Sequence, residues 1–413
     1  MSGKWTQAKA CTLYTCYPLA FCFSREYSVR MRVGLDAIPL ATPRTGVGHY
    51  TFELARHLAL LAPGDSFELI SPFPFDPPLG DDELPANLKA VEVRTNSLTR
   101  RWFAVGLPLH LIQSKFDLFH GTNYEVPLWN RGPSILTVHD LSILLYPETH
   151  EDRLVRRGRR RLPIMARLAD QIITPSESIK REVIQHLKIE ASRITVIPEA
   201  PRSSFTPMPE AETLATRTKF GIDRNFIFFA GTIEPRKNLI TLLGAFQEIL
   251  CSTSLRPQLV IAGKKGWLMD SFWHDLKSAG LEDCLRFTDY LHDDELRALY
   301  SSCSAFVYPS LYEGFGLPPL EAMACGAPVI TSQIPTLIET AGAASLQVLP
   351  KDVPDLARKI IELLENDSQR QYLSSAGIKH AARFSWERVA TATLDVYRDA
   401  IMRRGKHSTA APV

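Results

Sequence analysis

The sequence predicts an α/β protein in which two parallel sheets are each covered by helices. Three observations carry that expectation. Short apolar runs alternate with helical segments from Met31 to residue 197, the pattern a parallel sheet with crossover helices requires. The alternation lapses over 198–222, a stretch rich in Pro, Ser, Thr and Glu that reads as a connection between domains, and then resumes more clearly. The residues with chemical potential fall where the apolar runs end, outside the carboxyl ends of the strands, where open α/β sheets bind ligands.

In the first half, residues 33–35, 67–70, 118–119, 134–138, 172–174 and 194–197 read as strands. Residues 47–61, 103–112, 153–168 and 176–187 read as helices, with Pro163 expected to kink or divide its own. In the second half the strands are 226–230, 259–262, 285–288, 305–308, 329–331 and 346–349. A helix opens near Asn238, with Leu239, Leu242, Leu243, Phe246 and Ile249 at helical spacing.

The densest run of chemistry is 304–332, SAFVYPSLYEGFGLPPLEAMACGAPVITS. Gly314 and Gly316 permit backbone geometry that a Cβ would forbid. Pro318 and Pro319 suit the opening of a helix, where a missing N–H costs nothing. Leu320, Met323 and Ala324 give that helix an apolar face, and Gly326 stops it. Glu313 is therefore expected in a loop and Glu321 in the helix. The N–H groups of Phe315, Gly316 and Leu317 stand at the helix's positive end, which attracts anions. Two arbitrary carboxylates are more often solvated surface charges. Here the glycines, prolines and flanking strands converge on one pocket, suited to a sugar joined to a phosphate.

Arg236 and Lys237, in Phe226-Ile-Phe-Phe-Ala-Gly-Thr-Ile-Glu-Pro-Arg-Lys-Asn-Leu239, fall at a strand-to-helix junction. A planar fork, a point charge and nearby amides are what a diphosphate needs. Ile261-Ala-Gly-Lys-Lys-Gly-Trp267 is a third strand-end loop. Thr45-Gly-Val-Gly-His-Tyr50 lacks the third glycine of the dinucleotide fingerprint. It still places Gly46 and Gly48 where backbone can approach a phosphate, with a plain tight turn as the equal alternative. His139, in Thr137-Val-His139-Asp140-Leu141, closes another strand.

Written as Glu313-Gly-Phe-Gly-Leu-Pro-Pro-Leu-Glu321, the central element resembles the Glu-x7-Glu signature of the retaining glycosyltransferases of family 4. The resemblance runs from Met31 to about Ile401. It implies the GT-B fold, two Rossmann-like parallel-sheet domains facing across a cleft. It also implies an acceptor-side domain at 31–200, a nucleotide-sugar domain at 201–385, a helix at 386–405 returning to the first domain, and a disordered tail at 406–413. The implied reaction moves a sugar from a nucleoside diphosphate to an acceptor hydroxyl. Carried over from the family, Glu313, His139, Lys237 and Arg236 are the catalytic set. Gly46, Gly48, Leu291, Gly314, Phe315, Gly316, Leu317 and Glu321 contact the nucleotide sugar, Glu321 at the ribose. Leu291 reads equally as a core leucine, and His120 in His120-Gly-Thr-Asn123 is a weaker acceptor-side candidate. Many members carry Arg directly after the glycine equivalent to Gly231; this chain has Thr232, so one charge contact is missing or replaced. The runs 231–239 and 262–267 look most like mannosyltransferase-type members of bacterial surface polysaccharide synthesis, lipopolysaccharide included. GDP-mannose is the first expectation for the donor and a UDP-sugar the second, with a glycan or lipid-linked acceptor. No cofactor is expected, and no Asp-x-Asp element stands out for a metal.

The 413 residues suggest more than one domain, and a net charge of +2 gives no reason to expect nucleic acid. No uninterrupted apolar run approaches the roughly 20 residues of a membrane span. Cys11, Cys16, Cys22, Cys251, Cys284, Cys303 and Cys325 show no zinc-ligand spacing and read as reduced, buried thiols of a cytoplasmic protein. Residues 1–30 look foreign to the rest, a disordered extension or an artefact of start assignment. The first good strand begins at Met31, the expected true start. Arg153, Arg156, Arg157, Arg159, Arg160, Arg161 and Arg167 interleave with Leu154, Leu162, Ile164, Met165 and Leu168. That face is either merely solvated or attracted to anionic headgroups at the inner surface of the cytoplasmic membrane. The competing functions are a GT-B sugar-nucleotide epimerase or phosphorylase, and a non-catalytic sugar-nucleotide-binding protein. The intact Glu313, Arg236, Lys237 and Glu321 argue against the last. A dehydrogenase is disfavoured by the missing glycine fingerprint and a P-loop NTPase by the absence of GxxxxGK[ST].

Overall fold

Uninterrupted apolar strands are stable only when both faces of their sheet are covered, and the chain builds two such sheets. The computed structural model describes residues 30–41, 46–76, 83–223, 225–269, 272, 273, 276, 281 and 283–409. The first sheet contains β1 (Arg32–Asp36), β2 (Ser66–Ser71), β3 (Leu88–Glu92), β4 (Leu118–Gly121), β5 (Ser134–Thr137), β6 (Gln171–Thr174) and β7 (Ile194–Val196). The second contains β8 (Phe226–Ala230), β9 (Gln258–Ala262), β10 (Leu285–Phe287), β11 (Ala305–Tyr308), β12 (Val329–Ser332) and β13 (Leu346–Val348). Their orders are β3-β2-β1-β4-β5-β6-β7 and β10-β9-β8-β11-β12-β13, and the pairings are parallel. Each sheet grows outward from its first strand and then restarts on the other side, which opens a crevice between β1 and β4 and between β8 and β11. Strands β8, β9, β11 and β12 are buried along their whole length.

Three elements depart from the sequence expectation. Strand β3 was not anticipated, because at the sheet edge only Leu88 of Leu-Lys-Ala-Val-Glu is buried. The connection 198–222 contains a helix, Glu210–Lys219, in which only Thr213 is buried, so it carries no apolar periodicity. Its neighbours hold it: Lys219 pairs with Glu295 at 2.5 Å and the Met208 amide donates to Ser301 Oγ at 3.1 Å. Pro163 does not divide its helix, which runs unbroken over Asp152–Leu168. Burial of Val155, Leu162, Met165 and Ala166 offsets the lost backbone bond, and Arg193 donates to the carbonyls of Ala166, Arg167 and Ala169 at the helix end.

The C-terminal helix, Trp386–Thr409, returns to the first sheet. Trp386, Val389, Leu394 and Tyr397 join the core built by β1, β2 and the helix Gly46–Leu61. It extends into the stretch expected as a tail, because Arg404 bonds Asp170 at 3.0 Å and the Asn130 carbonyl at 2.9 Å. Residues 410–413 lie outside the described residues, as do 1–29 with Cys11, Cys16 and Cys22. Cys303 and Cys325 are buried as expected, but Cys251 is exposed on the outer face of its helix. Among the described residues no helix is long and apolar enough to cross a membrane.

Candidate active site

A cavity of about 400 Å³ opens between the carboxyl ends of the two sheets. On its second-sheet wall, strand β8 ends and a single turn, Pro235–Lys237, precedes the helix Leu239–Ser252. Asn238 turns the chain in the left-handed region (φ 56°). That turn aims Arg236 and Lys237 inward, where Glu313 receives both. Lys237 Nζ is 2.7 Å from Glu313 Oε1 and 2.6 Å from the Tyr308 hydroxyl. Arg236 Nη1 is 3.2 Å from Glu313 Oε2 and donates to the Tyr312 carbonyl at 2.9 Å, while Nη2 bonds Glu234 at 2.6 Å. Burial alone would raise the Glu313 pKa, but Lys237 and Arg236 outweigh it and hold the carboxyl at about 2. Burial and the neighbouring Arg236 charge lower the Lys237 pKa. Arg236 moves the other way: burial opposes its charge, and Glu313 and Glu234 overcome that and raise it.

The loop after Glu313 leads to the helix Leu317–Ala324. Gly316 is its N-cap at φ 106°, and a Cβ there would lie 2.6 Å from Leu337 Cδ2. Pro318 and Pro319 remove two of the amides that a helix start leaves unpaired. The donors at this positive end are thus concentrated on residues 315–317, all on the cavity wall. Gly314 serves a different purpose. A Cβ on it would approach the His139 carbonyl oxygen to 2.0 Å, so only glycine lets the two walls meet.

Glu321 projects from that helix into the cavity wall, but not as a free carboxylate. Arg202 Nε and Nη2 meet its two oxygens at 2.8 and 3.0 Å, and Arg202 Nη1 bonds Asp293 at 2.6 Å. Burial raises the Glu321 pKa, and Arg202 opposes the rise without cancelling it. Leu291 satisfies both of its expectations: it lines the cavity and belongs to the apolar core of the second sheet.

The first-sheet wall is more selective than the sequence suggested. Gly46 opens the first helix on the cavity, but Gly48 is buried and does not line it. Two residues on, a helix has turned about 200° away. His139 lies on the cavity, yet both ring nitrogens are committed, Nδ1 to Glu199 at 2.9 Å and Nε2 to the Thr122 carbonyl at 2.8 Å. The carbonyl accepts from Nε2–H and Nδ1 shares a proton with Glu199, an arrangement that favours a positively charged ring. Burial disfavours that charge, but the Glu199 hydrogen bond and charge prevail and the pKa is raised. His120 is not a cleft residue. It is fully buried between Tyr397 of the C-terminal helix (2.6 Å) and Thr137 (2.7 Å), and burial lowers its pKa to about 3.

The walls are tied together around the cavity. Ser176 Oγ donates to the Gly314 carbonyl at 3.0 Å, Tyr312 OH to Glu182 at 2.5 Å, and Trp267 Nε1 to the Thr149 carbonyl at 2.7 Å. Glu339 accepts from the amides of Glu177 and Ser178 at 2.7 and 3.1 Å. Sequence reasoning missed Glu199, Arg202 and Tyr308. Glu199 and Arg202 directly follow β7, so the rule that ligands gather at strand ends could have found them. Lys264, next to Gly263 on the β9 loop, also lines the cavity; its Nζ lies 4.8 Å from the Tyr290 ring centroid.

Residues 212–380 match the family model for glycosyl transferases group 1, and residues 44–200 that for Glycosyltransferase Family 4. The chain is 32% identical to O-antigen chain mannosyltransferase B of Escherichia coli over 380 residues, 89% of this chain and 100% of the relative. It is 35% identical over 226 residues to a serotype-specific mannosyltransferase of Escherichia coli, WbdA, covering 54% of this chain and 28% of that larger protein. The solved sucrose-phosphate synthase of Thermosynechococcus elongatus superposes with a TM-score of 0.73 at 20% identity, over 91% of this chain and 100% of that one. The two facing parallel sheets are thus the GT-B fold, and the chain belongs to the family 4 glycosyltransferases.

Proposed function

We propose that the protein transfers mannose from GDP-mannose to a hydroxyl of a glycan or lipid-linked acceptor in cell-surface polysaccharide synthesis. In this reading the anomeric configuration is retained and neither a metal nor a cofactor takes part. A UDP-sugar is the second choice of donor. One observation carries the reading: Arg236, Lys237, Glu313 and the amides of 315–317 converge on one cavity. The end-to-end likeness to an O-antigen mannosyltransferase supports the choice of sugar.

Breaking the anomeric C–O bond sends its electron pair to the diphosphate and leaves oxocarbenium character on the sugar. The acceptor oxygen bonds the anomeric carbon, and its proton leaves with the diphosphate. Lys237, Arg236 and the 315–317 amides take up the departing charge, each preorganised group of this kind being worth about 2.7–4 kcal/mol. Glu313, ionised throughout, keeps the two cations in place before the donor arrives and orients sugar hydroxyls afterwards. Glu321 accepts from the nucleotide ribose. The His139 ring has no free nitrogen for proton transfer and acts as a fixed positive wall. The protein acts in the cytoplasm, and the helix Asp152–Leu168 makes peripheral contact with anionic membrane. Leu154, Ile164 and Leu168 are exposed there among the arginines, although Arg157 and Arg161 also bond Glu125.

Protection from thermal unfolding across a panel of nucleotide sugars tests the donor, since a ligand of the native state raises apparent stability by mass action. GDP-mannose should give the largest rise, and mannosyl transfer to an acceptor should show an unchanged anomer by NMR. A larger rise with a UDP-sugar would replace mannose, and conversion of the nucleotide sugar without acceptor would identify an epimerase instead.

A further inference from the structure

Arg202 lies in the connection between the two sheets, yet it is built into the cavity wall. Its side chain is 11% exposed and stacks 4.0 Å from the centroid of the Phe205 ring, itself part of the second-sheet core. The guanidinium is divided between two carboxylates. Nε and Nη2 form a fork on Glu321 at 2.8 and 3.0 Å, and Nη1 reaches Asp293 at 2.6 Å. A fork on a carboxylate fixes its plane as well as its position. Each carboxylate oxygen has two acceptor sites, so the fork uses one on Oε1 and one on Oε2. One on each remains open to a hydroxyl donor.

We infer that Arg202 is a positioning residue for the donor, acting through Glu321 to orient that carboxylate toward the nucleotide ribose. The inference rests on the proposed reading that Glu321 faces the donor. Arg202 does not touch the reacting atoms. It supplies the cation bonded to Glu321 in an acidic corner: Asp293 and Tyr300 face Glu321 from the helix Asp293–Ser302, Cys325 faces it from beyond its own helix with Arg297 nearby, and Glu53 of the first-domain helix, itself beside His57 and Arg56, lies near Arg202. Burial already favours the protonated Glu321, and Asp293 adds to that preference. Removing the guanidinium takes away the cation that opposes protonation of Glu321, so Glu321 keeps its proton to higher pH. A lysine would restore charge but not the fork.

The test is steady-state kinetics of R202Q, R202K and E321Q with GDP-mannose, or whichever nucleotide sugar the thermal panel selects, across pH. R202Q should raise donor KM by up to about tenfold, no more than E321Q itself, with a much smaller change in kcat. The acid limb of its kcat/KM profile should move up by about one pH unit or more. R202K should raise donor KM while leaving the limb near its wild-type place, which separates geometry from charge. An R202Q enzyme with wild-type donor KM and an unmoved limb overturns the inference. So does one that merely melts earlier and loses kcat with the limb in place. If R202Q does not fold, R202K decides: donor KM and affinity for the free nucleoside diphosphate must both weaken, and wild-type values overturn the proposal. E321Q distinguishes the two levels. Wild-type donor KM in E321Q defeats the donor-site reading itself, whereas a raised KM in E321Q beside a normal one in R202Q and R202K defeats only the role of Arg202.

Discussion

Glu313 and Glu321 belong to one motif and are each 7% exposed, but they meet opposite balances of charge. Glu313 meets two cations, Lys237 at 2.7 Å and Arg236 at 3.2 Å, the second shared with Glu234. Glu321 has one, and Arg202 divides that cation with Asp293. Burial raises both pKa values at the outset. Around Glu313 the cations win and the pKa falls to about 2; around Glu321 they do not and it stays raised. The lesson is that the spacing of the motif sets where two carboxylates go, and their neighbours set what each can do. The loop carboxylate is held ionised by Lys237 and Arg236 and in turn organises those two cations. The helix carboxylate depends on a single partner and responds to pH.

The largest expected effect comes from breaking the Glu313 side of this comparison. K237A removes the ammonium shared by Glu313 and Tyr308 and, in the proposed reading, leaves the leaving group to Arg236 and the amides of 315–317. Transfer should fall about 10²–10³-fold in kcat, the loss typical of one preorganised charge-stabilising donor. Steady-state transfer with a nucleotide-sugar donor measures it, beside a circular dichroism spectrum that should be unchanged. A loss of less than tenfold would show that the turn 235–237 is structural.

Next in size is the stability of the cluster. E313Q strands two buried cations, and breaking a buried pair costs about 3–5 kcal/mol. The pH dependence separates this from simple packing loss. The Glu313 pKa is depressed from 4.5 to about 2, so its ionisation stabilises the fold above pH 4.5 and that contribution is lost as pH falls toward 2. The shift corresponds to about 3 kcal/mol. The gap in unfolding temperature between wild type and E313Q should therefore narrow over that window. Glu321, with its raised pKa, has the opposite sign: its contribution is fullest below pH 4.5 and declines as pH rises through the folded value. The wild type and E321Q should accordingly diverge in the other direction, and parallel curves for the two variants would erase the distinction drawn here.

Most of the second sheet was legible because β8 and β11 are apolar almost throughout, and most of the Arg236–Glu313 wall because it is local. Arg236 and Lys237 share one turn, and Gly314 to Pro319 dictate their own backbone. What stayed hidden depends on distant partners. His120 and His139 both end strands, and nothing nearby in sequence says that Tyr397 fills the space beside the first while Glu199 charges the second. Arg202 sits in a segment without periodicity, and its meaning comes from Glu321 and Asp293, far along the chain. The motif pairs Gly46 with Gly48, and the fold puts only Gly46 on the cavity wall because Gly48 is already packed inside the helix.

A smaller effect sharpens the Glu321 side. E321Q keeps the size of the side chain and one acceptor oxygen but loses the charge. Donor KM should rise about tenfold, near the lower bound for a hydrogen bond to a charged group, with kcat nearly unchanged. Initial rates at varied donor and saturating acceptor would show the split. An equal fall in kcat would place Glu321 at the reacting centre beside Glu313 and make the two carboxylates alike after all.

The smallest expected effect is that of metal removal. A divalent ion on a sugar diphosphate neutralises the charge of the leaving group, and in the proposed reading Lys237, Arg236 and the amides of 315–317 do so instead. Excess EDTA should leave kcat/KM within about twofold, since it does not touch these groups. The contrary result would carry more information than the expected one. Complete loss restored by magnesium or manganese would mean that the two cations do not suffice and that an ionised carboxylate is needed for something besides holding them. Glu313 and Glu234, the acids now bonded to Arg236, would be the first residues to examine as ligands. The depressed pKa of Glu313 would then keep a metal-binding anion available, and its pairing with Lys237 and Arg236 would describe only the cleft before the metal and donor arrive.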